Sequence, residues 1–358
     1  MFFTKKAPGE EEIRKTLGAL HHSGRGHSFA ELGLVEGVVV KEGEVTFVLQ
    51  LLEGDQAHVP QLREIAENAV KSLPGVKSAR AVFTAAAKPA PRKAPSGFNA
   101  GHLGKIIAVL SGKGGVGKST VAANLACALA KQGLRVGLLD ADIYGPSVPR
   151  LFGLRDKPQT ANNKMVPPEK FGLKVMSIGF VLEEDMPVIW RGPVVQKAIR
   201  QLIEDVAWGP LDVLVIDMPP GTGDVQLTFA QSTPLAGGVI VSTPQDLALI
   251  DARKAIAMLK RLDVPVLGIL ENMSGFACPH CGERSDIFGA GGAKAEADKI
   301  GEEFLGAVPL DINLRKTSDE GAPITVAEPA SPLSEMFSHI AARIWQKTNA
   351  VQAKVVRG

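Results

Sequence analysis

The run Ser111-Gly-Lys-Gly-Gly-Val-Gly-Lys-Ser-Thr120 carries the residue types and spacing that polyphosphate binding requires. From Gly112 to Ser119 it satisfies the pattern G-x-x-x-x-G-K-[ST], with an apolar run, Ile106 to Leu110, before it and a helical pattern after it. Gly112, Gly114, Gly115 and Gly117 let the backbone curl so that successive N–H groups face inward, Val116 and Thr120 completing the cradle. The loop opens onto a helix N-terminus, whose partial positive charge favours an anion. Lys118 is expected to reach the β- and γ-phosphates, and the Ser119 hydroxyl to join Mg²⁺, which prefers oxygen ligands. Lys113 gives the loop a second lysine that cannot sit where Lys118 sits, so its side chain is expected to point elsewhere.

Three carboxylates stand at the ends of two apolar runs downstream, the pair Asp140 and Asp142 at one and Asp217 at the other. Arg135-Val-Gly-Leu-Leu-Asp140 leads into Asp-Ala-Asp-Ile-Tyr-Gly-Pro-Ser147, and Val213-Leu-Val-Ile-Asp217 into Met-Pro-Pro-Gly-Thr-Gly-Asp224. Phosphoryl transfer depends on positioning and on neutralising charge, so hydrolysis asks for one carboxylate near Mg²⁺ and another near the attacking water. The second loop is stiff at its prolines and free at its glycines, a composition suited to sensing a γ-phosphate and relaying its loss.

The three cysteines do not make a disulfide framework; their spacing is what matters. Cys278-Pro-His-Cys281 can be half of a zinc site, half of a cluster site, or a redox pair. Cys127 falls in the apolar run Val121 to Ala130 and reads as core. Tetrahedral zinc and cubane iron–sulfur centres commonly use four thiolates, which one chain cannot supply, so a complete site asks for two chains giving one pair each.

The elements that must position these residues emerge from periodicity. Residues 1–88 read as a small α+β domain: a helix through Ile13, Leu17 and Leu20, a hairpin of strands 34–41 and 44–52 about Glu42-Gly43, a helix through Leu62, Ile65, Ala69 and Leu73, and a last strand from Val76 to Phe83. His21, His22, His27 and His58 lack fixed ligand spacing and are expected at the surface. An Ala/Pro-rich stretch with prolines at 89, 91 and 95 reads as a linker, 89–104. From 105 to about 350, strands near 106–111, 174–178, 212–217, 237–242 and 265–270, one more ending at Asp140, and the helix 118–132 alternate. The expected fold is α/β: a parallel sheet with helices on both faces, ligands gathering at the strands' C-terminal ends. Leu333, Met336, Phe337, Ile340 and Ile344 mark a terminal helix expected to pack on the sheet and to fray from Val351.

Over 358 residues, 45% hydrophobic and 22% charged with net charge +2, nothing nominates a nucleic acid or a membrane as partner, and the N-terminus has no signal-peptide core, so a cytoplasmic location is expected.

The loop with Lys113 resembles the deviant Walker A P-loop of the MinD/ParA/ArsA-type ATPases, in which that lysine crosses a dimer interface to the partner's nucleotide. That resemblance implies that Asp142 positions the water, that Asp140 lies near the Mg²⁺ shell, that Asp217 reaches Mg²⁺ through a coordinated water, and that Asn272, closing Leu270-Glu-Asn-Met-Ser274, bonds the adenine edge. With Pro-Pro-Gly-Thr-Gly-Asp224 and Cys-Pro-His-Cys281 added, the chain from Lys105 to about Trp345 resembles the Mrp/ApbC-type iron–sulfur cluster carrier ATPases. The resemblance implies a P-loop NTPase fold and an ATP-hydrolysing homodimer. It also implies a [4Fe–4S] cluster bridging Cys278 and Cys281 of both subunits, and apo iron–sulfur proteins and cluster assembly factors as partners. Residues 1–88, with Glu31-Leu-Gly-Leu-Val35 and Leu73-Pro-Gly-Val76, resemble the small domain associated with iron–sulfur assembly. The loop Leu52 to His58, where that family commonly has a cysteine, has none. The alternative is a partition or positioning ATPase with a structural zinc or redox Cys pair.

Overall fold

The computed structural model describes residues 8–41, 43–52, 54–85, 103–181 and 192–357. They fall into two compact units, Met1–Ala90 and Pro91–Gly358. The linker expected at 89–104 lies almost wholly outside the described residues.

The first unit is α1 (Glu10–Gly18), β1 (Val35–Lys41), β2 (Glu44–Leu51), α2 (Val59–Lys71) and β3 (Ser78–Ala85), its sheet ordered β1-β2-β3. β1 and β2 form the antiparallel hairpin and β3 runs parallel to β2, as a connection through a helix permits. Val45, Phe47 and Leu49 alternate onto the covered face of β2, where Ile13 and Leu17 of α1 and Leu62, Ala66 and Val70 of α2 bury against them. One histidine departs from expectation. His22 is buried, its Nδ1 accepting the Gly24 N–H at 3.1 Å and its Nε2 lying 3.1 Å from Asp55 Oδ2. Asp55 is buried too, and although burial opposes ionisation, the Leu52 N–H and the Arg25 and His22 side chains hold its carboxyl below the usual carboxylate range. A surface assignment from spacing alone misses this, because the partner carboxylate stands 33 residues along the chain.

In the second unit β4 (Lys105–Leu110) leads through the glycine loop into α3 (Lys118–Lys131), followed by β5 (Val136–Asp140), α4 (Val148–Leu151), β6 (Gln159–Ala161), β7 (Lys164–Val166), β8 (Glu169–Lys170) and β9 (Leu173–Ser177). Then come α5 (Gly192–Glu204), β10 (Val213–Asp217), α6 (Asp224–Ser232), β11 (Leu235–Ser242), α7 (Asp246–Arg261), β12 (Val266–Ala277), β13 (Arg284–Ser285), α8 (Gly292–Ile300) and β14 (Phe304–Leu310). The chain ends in α9 (Ile312–Asp319), α10 (Ile324–Ala327) and α11 (Pro332–Arg357). The sheet runs β13-β12-β11-β4-β10-β5-β9-β8, with β14 also on β12. The strands β14, β12, β11, β4, β10, β5 and β9 are mutually parallel; β8 and β13 are antiparallel additions.

Both faces are covered, and the pleat shows how. Ile106, Ala108 and Leu110 of β4 pack with α5, α6, α7 and α8, whereas Ile107 and Val109 face α3 and α11. Leu333, Phe337, Ile340 and Ile344 place α11 on the sheet as expected, and the helix runs to Arg357. Among the described residues no helix is long and apolar enough to cross a membrane.

Candidate nucleotide and cysteine sites

β4 is the central strand, with β11 on one side and β10 on the other, so the loop it feeds opens where the strand order reverses. Gly115 and Gly117 both have φ near +80°, the left-handed conformation that curls the loop between β4 and α3. A methyl at Gly117 would overlap the Asn272 amide, and one at Gly112 the backbone of Asp251 in α7. The Gly115 position is open, and a methyl at Gly114 would meet only Pro220 at ordinary contact distance. Val116 is buried and anchors the loop, Thr120 accepts the Asn124 amide through its carbonyl at 2.9 Å, and Lys113 is exposed. No hydrogen bond or ion pair holds Lys113 among the described residues.

Lys118 is 5% exposed and points at the ends of β5 and β10. Its Nζ lies 2.6 Å from Asp217 Oδ1, 3.4 Å from Asp142 Oδ2 and 3.4 Å from Ser119 Oγ. Asp217 Oδ2 and Asp142 Oδ1 are buried without a hydrogen-bond partner, and so is Ser111 Oγ. Burial pushes the Asp217 carboxyl up, the ammonium of Lys118 opposing it. Two unpartnered carboxylate oxygens beside a serine hydroxyl suit a hard divalent cation, and the lysine between them suits phosphate oxygens.

Asp140 differs from its neighbours. It is paired in register with Asp217 on β10 and Ser177 on β9, and its oxygens accept the Asp142 N–H at 3.1 Å, the Val148 N–H at 3.1 Å and the Ser177 hydroxyl at 3.0 Å. Both oxygens are therefore committed to protein donors that shape the 141–148 turn and aim Asp142. Burial, followed by the nearby Asp217 charge, pushes it up to about 7.

The segment after β10 is tied to the phosphate loop by the Gly221 N–H, which donates to the Ser111 carbonyl at 2.9 Å. The Gln226 amide, buried at the start of α6, donates to the carbonyls of Pro219 and Pro220 at 3.2 and 2.6 Å. No motif marks Ser177 or Gln226. A polar residue ending a strand and one in the first turn of a helix are the only signals their sequence offers.

β12 links the two chemistries. Asn272 is 4% exposed and its Nδ2 donates to the Val116 carbonyl at 2.8 Å, so here it contacts the phosphate loop itself. Its neighbour Glu271, fully buried and not anticipated from sequence, accepts the Ser274 hydroxyl at 2.6 Å and the N–H groups of Gly291 and Ala293 at 2.8 and 2.7 Å. Met273 comes next with φ +60° and Gly275 has φ +73°, an irregularity in the pairing with β14. A left-handed non-glycine residue costs about 1–2 kcal/mol, which the surrounding bonds must offset.

Beyond that irregularity β12 pairs with β13 as a short hairpin with Cys278 and Cys281 at its tip. The Cys278 N–H donates to the Glu283 carbonyl at 2.9 Å, the Gly282 N–H to the Cys278 carbonyl at 2.8 Å, and Gly282 turns at φ +74°. Backbone N–H groups of Cys281 and then His280 hold the Cys278 thiol below its ordinary range. The turn thus presents one hydrogen-bonded sulfur beside a second, exposed one. Among the described residues no group of three or more Cys, His, Asp or Glu side chains gathers around them. Cys127, by contrast, is buried in α3 and burial pushes its thiol up to about 12.

Residues 102–345 match the family model described as NUBPL iron-transfer P-loop NTPase, and residues 10–82 the model described as iron–sulfur cluster assembly protein. The iron–sulfur cluster carrier protein of Synechocystis is 44% identical over 90% of this chain and 93% of its own. A nucleotide-binding protein from Archaeoglobus fulgidus, solved in complex with ADP, is 46% identical with a TM-score of 0.58, covering 66% of this chain and 93% of its own. The cell division ATPase MinD of Pyrococcus furiosus is 25% identical with a TM-score of 0.52, covering 68% of this chain and 99% of its own. With the matched model spanning well over half its length and carrying the glycine loop, the strand-end carboxylates and the cysteine hairpin together, the chain belongs to the NUBPL iron-transfer P-loop NTPase family.

Proposed function

We propose that this protein is an ATP-binding and ATP-hydrolysing iron–sulfur cluster carrier that works as a homodimer, holds a [4Fe–4S] cluster on Cys278 and Cys281 of both subunits, and passes it to apo-proteins. The observation that carries this reading is the exposed two-thiol turn at the end of the strand whose Asn272 touches the phosphate loop. A pair of thiolates satisfies half of a four-thiolate centre, so a second chain supplies the rest.

Lys118, released from Asp217, holds the β- and γ-phosphate oxygens, and backbone N–H groups of the loop cradle the same chain of phosphates. Ser119 with the free oxygen of Asp217 fits Mg²⁺, which when bound neutralises charge on the phosphates. Asp142, aimed by Asp140, orients the attacking water. Lys113, exposed and unpaired among the described residues, reaches the partner's nucleotide. The exposed Cys281 is open to an acceptor's thiolates, which replace the carrier's own one at a time as the cluster moves.

A partition or positioning ATPase is the lesser reading, since it leaves the cysteine hairpin without a task. Transfer of cluster from anaerobically loaded protein to an apo-acceptor tests the proposal. Cys278→Ser should abolish transfer, and transfer undiminished in that variant would refute it.

A further inference from the structure

The cysteine hairpin is fastened at its root by two neighbouring residues that face different parts of the molecule. Asn272 donates to the Val116 carbonyl, and its amide fills the space a Gly117 side chain would need. Any phosphate seated in the loop lies against those same peptides, so the loop's adjustment to its ligand is felt at Asn272. Glu271 secures the other end. It gathers the N–H groups of Gly291 and Ala293 and the Ser274 hydroxyl, closing residues 272–291 into a loop whose two ends meet at one carboxylate.

Between this root and the thiols the strand loses its regular pairing. β12 is in register with β11 through Ser242 and Glu271, and with β14 through Val308 and Asn272. It regains β14 only at Phe276 with Leu310, the left-handed Met273 and Gly275 lying in the interval. Such an irregularity re-aims the chain beyond it, and here that chain is the exposed turn bearing Cys278 and Cys281.

We propose that Glu271 and Asn272 are positioning residues for the thiol pair: Asn272 transmits the state of the phosphate loop to the hairpin across the Met273–Gly275 irregularity, and Glu271 is the fixed point against which it turns. This inference rests on the carrier reading for its purpose, but its geometry concerns only the loop and the hairpin. It predicts that nucleotide changes the presentation of the thiols even when no metal is present.

The test is the rate at which N-ethylmaleimide alkylates Cys278 and Cys281 in the full-length, metal-free protein, read by mass spectrometry. It is measured with and without saturating ATP and Mg²⁺, at matched oligomeric mass by light scattering. In the unaltered protein nucleotide should change the rate about fivefold or more, a modest coupling between sites. Asn272→Ala, saturated with nucleotide as judged by a binding isotherm, should show one rate in both states. Glu271→Gln leaves the phosphate loop untouched but sets an amide N–H₂ against backbone donors. It should bind nucleotide and likewise lose the response. No nucleotide effect in the unaltered protein, or a full effect retained in Glu271→Gln, would overturn the inference. Failure of cluster transfer with the alkylation response intact would instead count against the carrier reading alone.

Discussion

Lys118 Nζ stands 2.6 Å from Asp217 Oδ1 inside the sheet's C-terminal edge, so the lysine proposed to hold phosphate is balanced by a fully buried carboxylate. Removing the lysine strands that carboxylate. Lys118→Ala should abolish measurable nucleotide binding, by about a hundredfold or more. It should also cost about 3–5 kcal/mol of stability at neutral pH, because the uncompensated charge remains buried. Adding Asp217→Asn should restore most of the stability and none of the binding. Urea melts beside a nucleotide titration separate the two effects. A stable single variant would mean that the pair is not buried as described.

Asp140 makes a pH signature. Its carboxyl is pushed up to about 7 in the fold against an ordinary value of 3.8, so between those values the folded protein holds a proton that the unfolded chain has released. Stability therefore falls as pH rises from about 4 to about 7, and this contribution is level beyond that range. Asp217, also raised, acts in the same sense. Asp140→Asn should flatten the slope, measured as unfolding free energy against pH; an unchanged slope would show that Asp140 does not titrate there.

The cysteines divide into two kinds. Cys278→Ser or Cys281→Ser should remove cluster binding after anaerobic reconstitution, whereas Cys127→Ser should leave it intact, since that thiol is sealed in α3. Iron retained by either hairpin variant at the level of the unaltered protein would contradict the assignment.

Gly117→Ala should be more damaging than Gly133→Ala, although both glycines have positive φ. At Gly133 nothing lies near an added methyl, so only backbone strain is expected, about 1–2 kcal/mol. At Gly117 the methyl also displaces the Asn272 amide from Val116, for about 1 kcal/mol more, and nucleotide affinity falls with it. Equal melting shifts for the two variants would argue against the Asn272 contact.

Much of this is legible in the residues themselves. The glycine loop, the carboxylates ending β5 and β10, and the Cys-Pro-His-Cys turn are local patterns, and local chemistry fixes them: a strand ends, a turn needs a positive φ, a charge needs a ligand. The apolar runs give β4, β5, β9, β10 and β11 to within two residues or so of their observed bounds. The features that stay hidden depend on partners distant in the chain. Glu271 looks like any strand-end carboxylate until α8 brings Gly291 and Ala293 to it. His22 looks like a surface histidine until Asp55 closes over it. Likewise the apolar pattern ends β12 at 270, because Asn272 and Ser274 break it, while pairing with β14 and then with β13 carries the strand on to Ala277.

The most direct measurement is iron and sulfide content together with mass in solution, taken on anaerobically reconstituted protein. On the proposed reading the two hairpin thiols of each chain complete a four-thiolate cage with those of a second chain, so the cluster should appear as one [4Fe–4S] unit per dimer and vanish with the dimer. A monomer carrying a full cluster, or a dimer that binds neither iron nor sulfide, would contradict it.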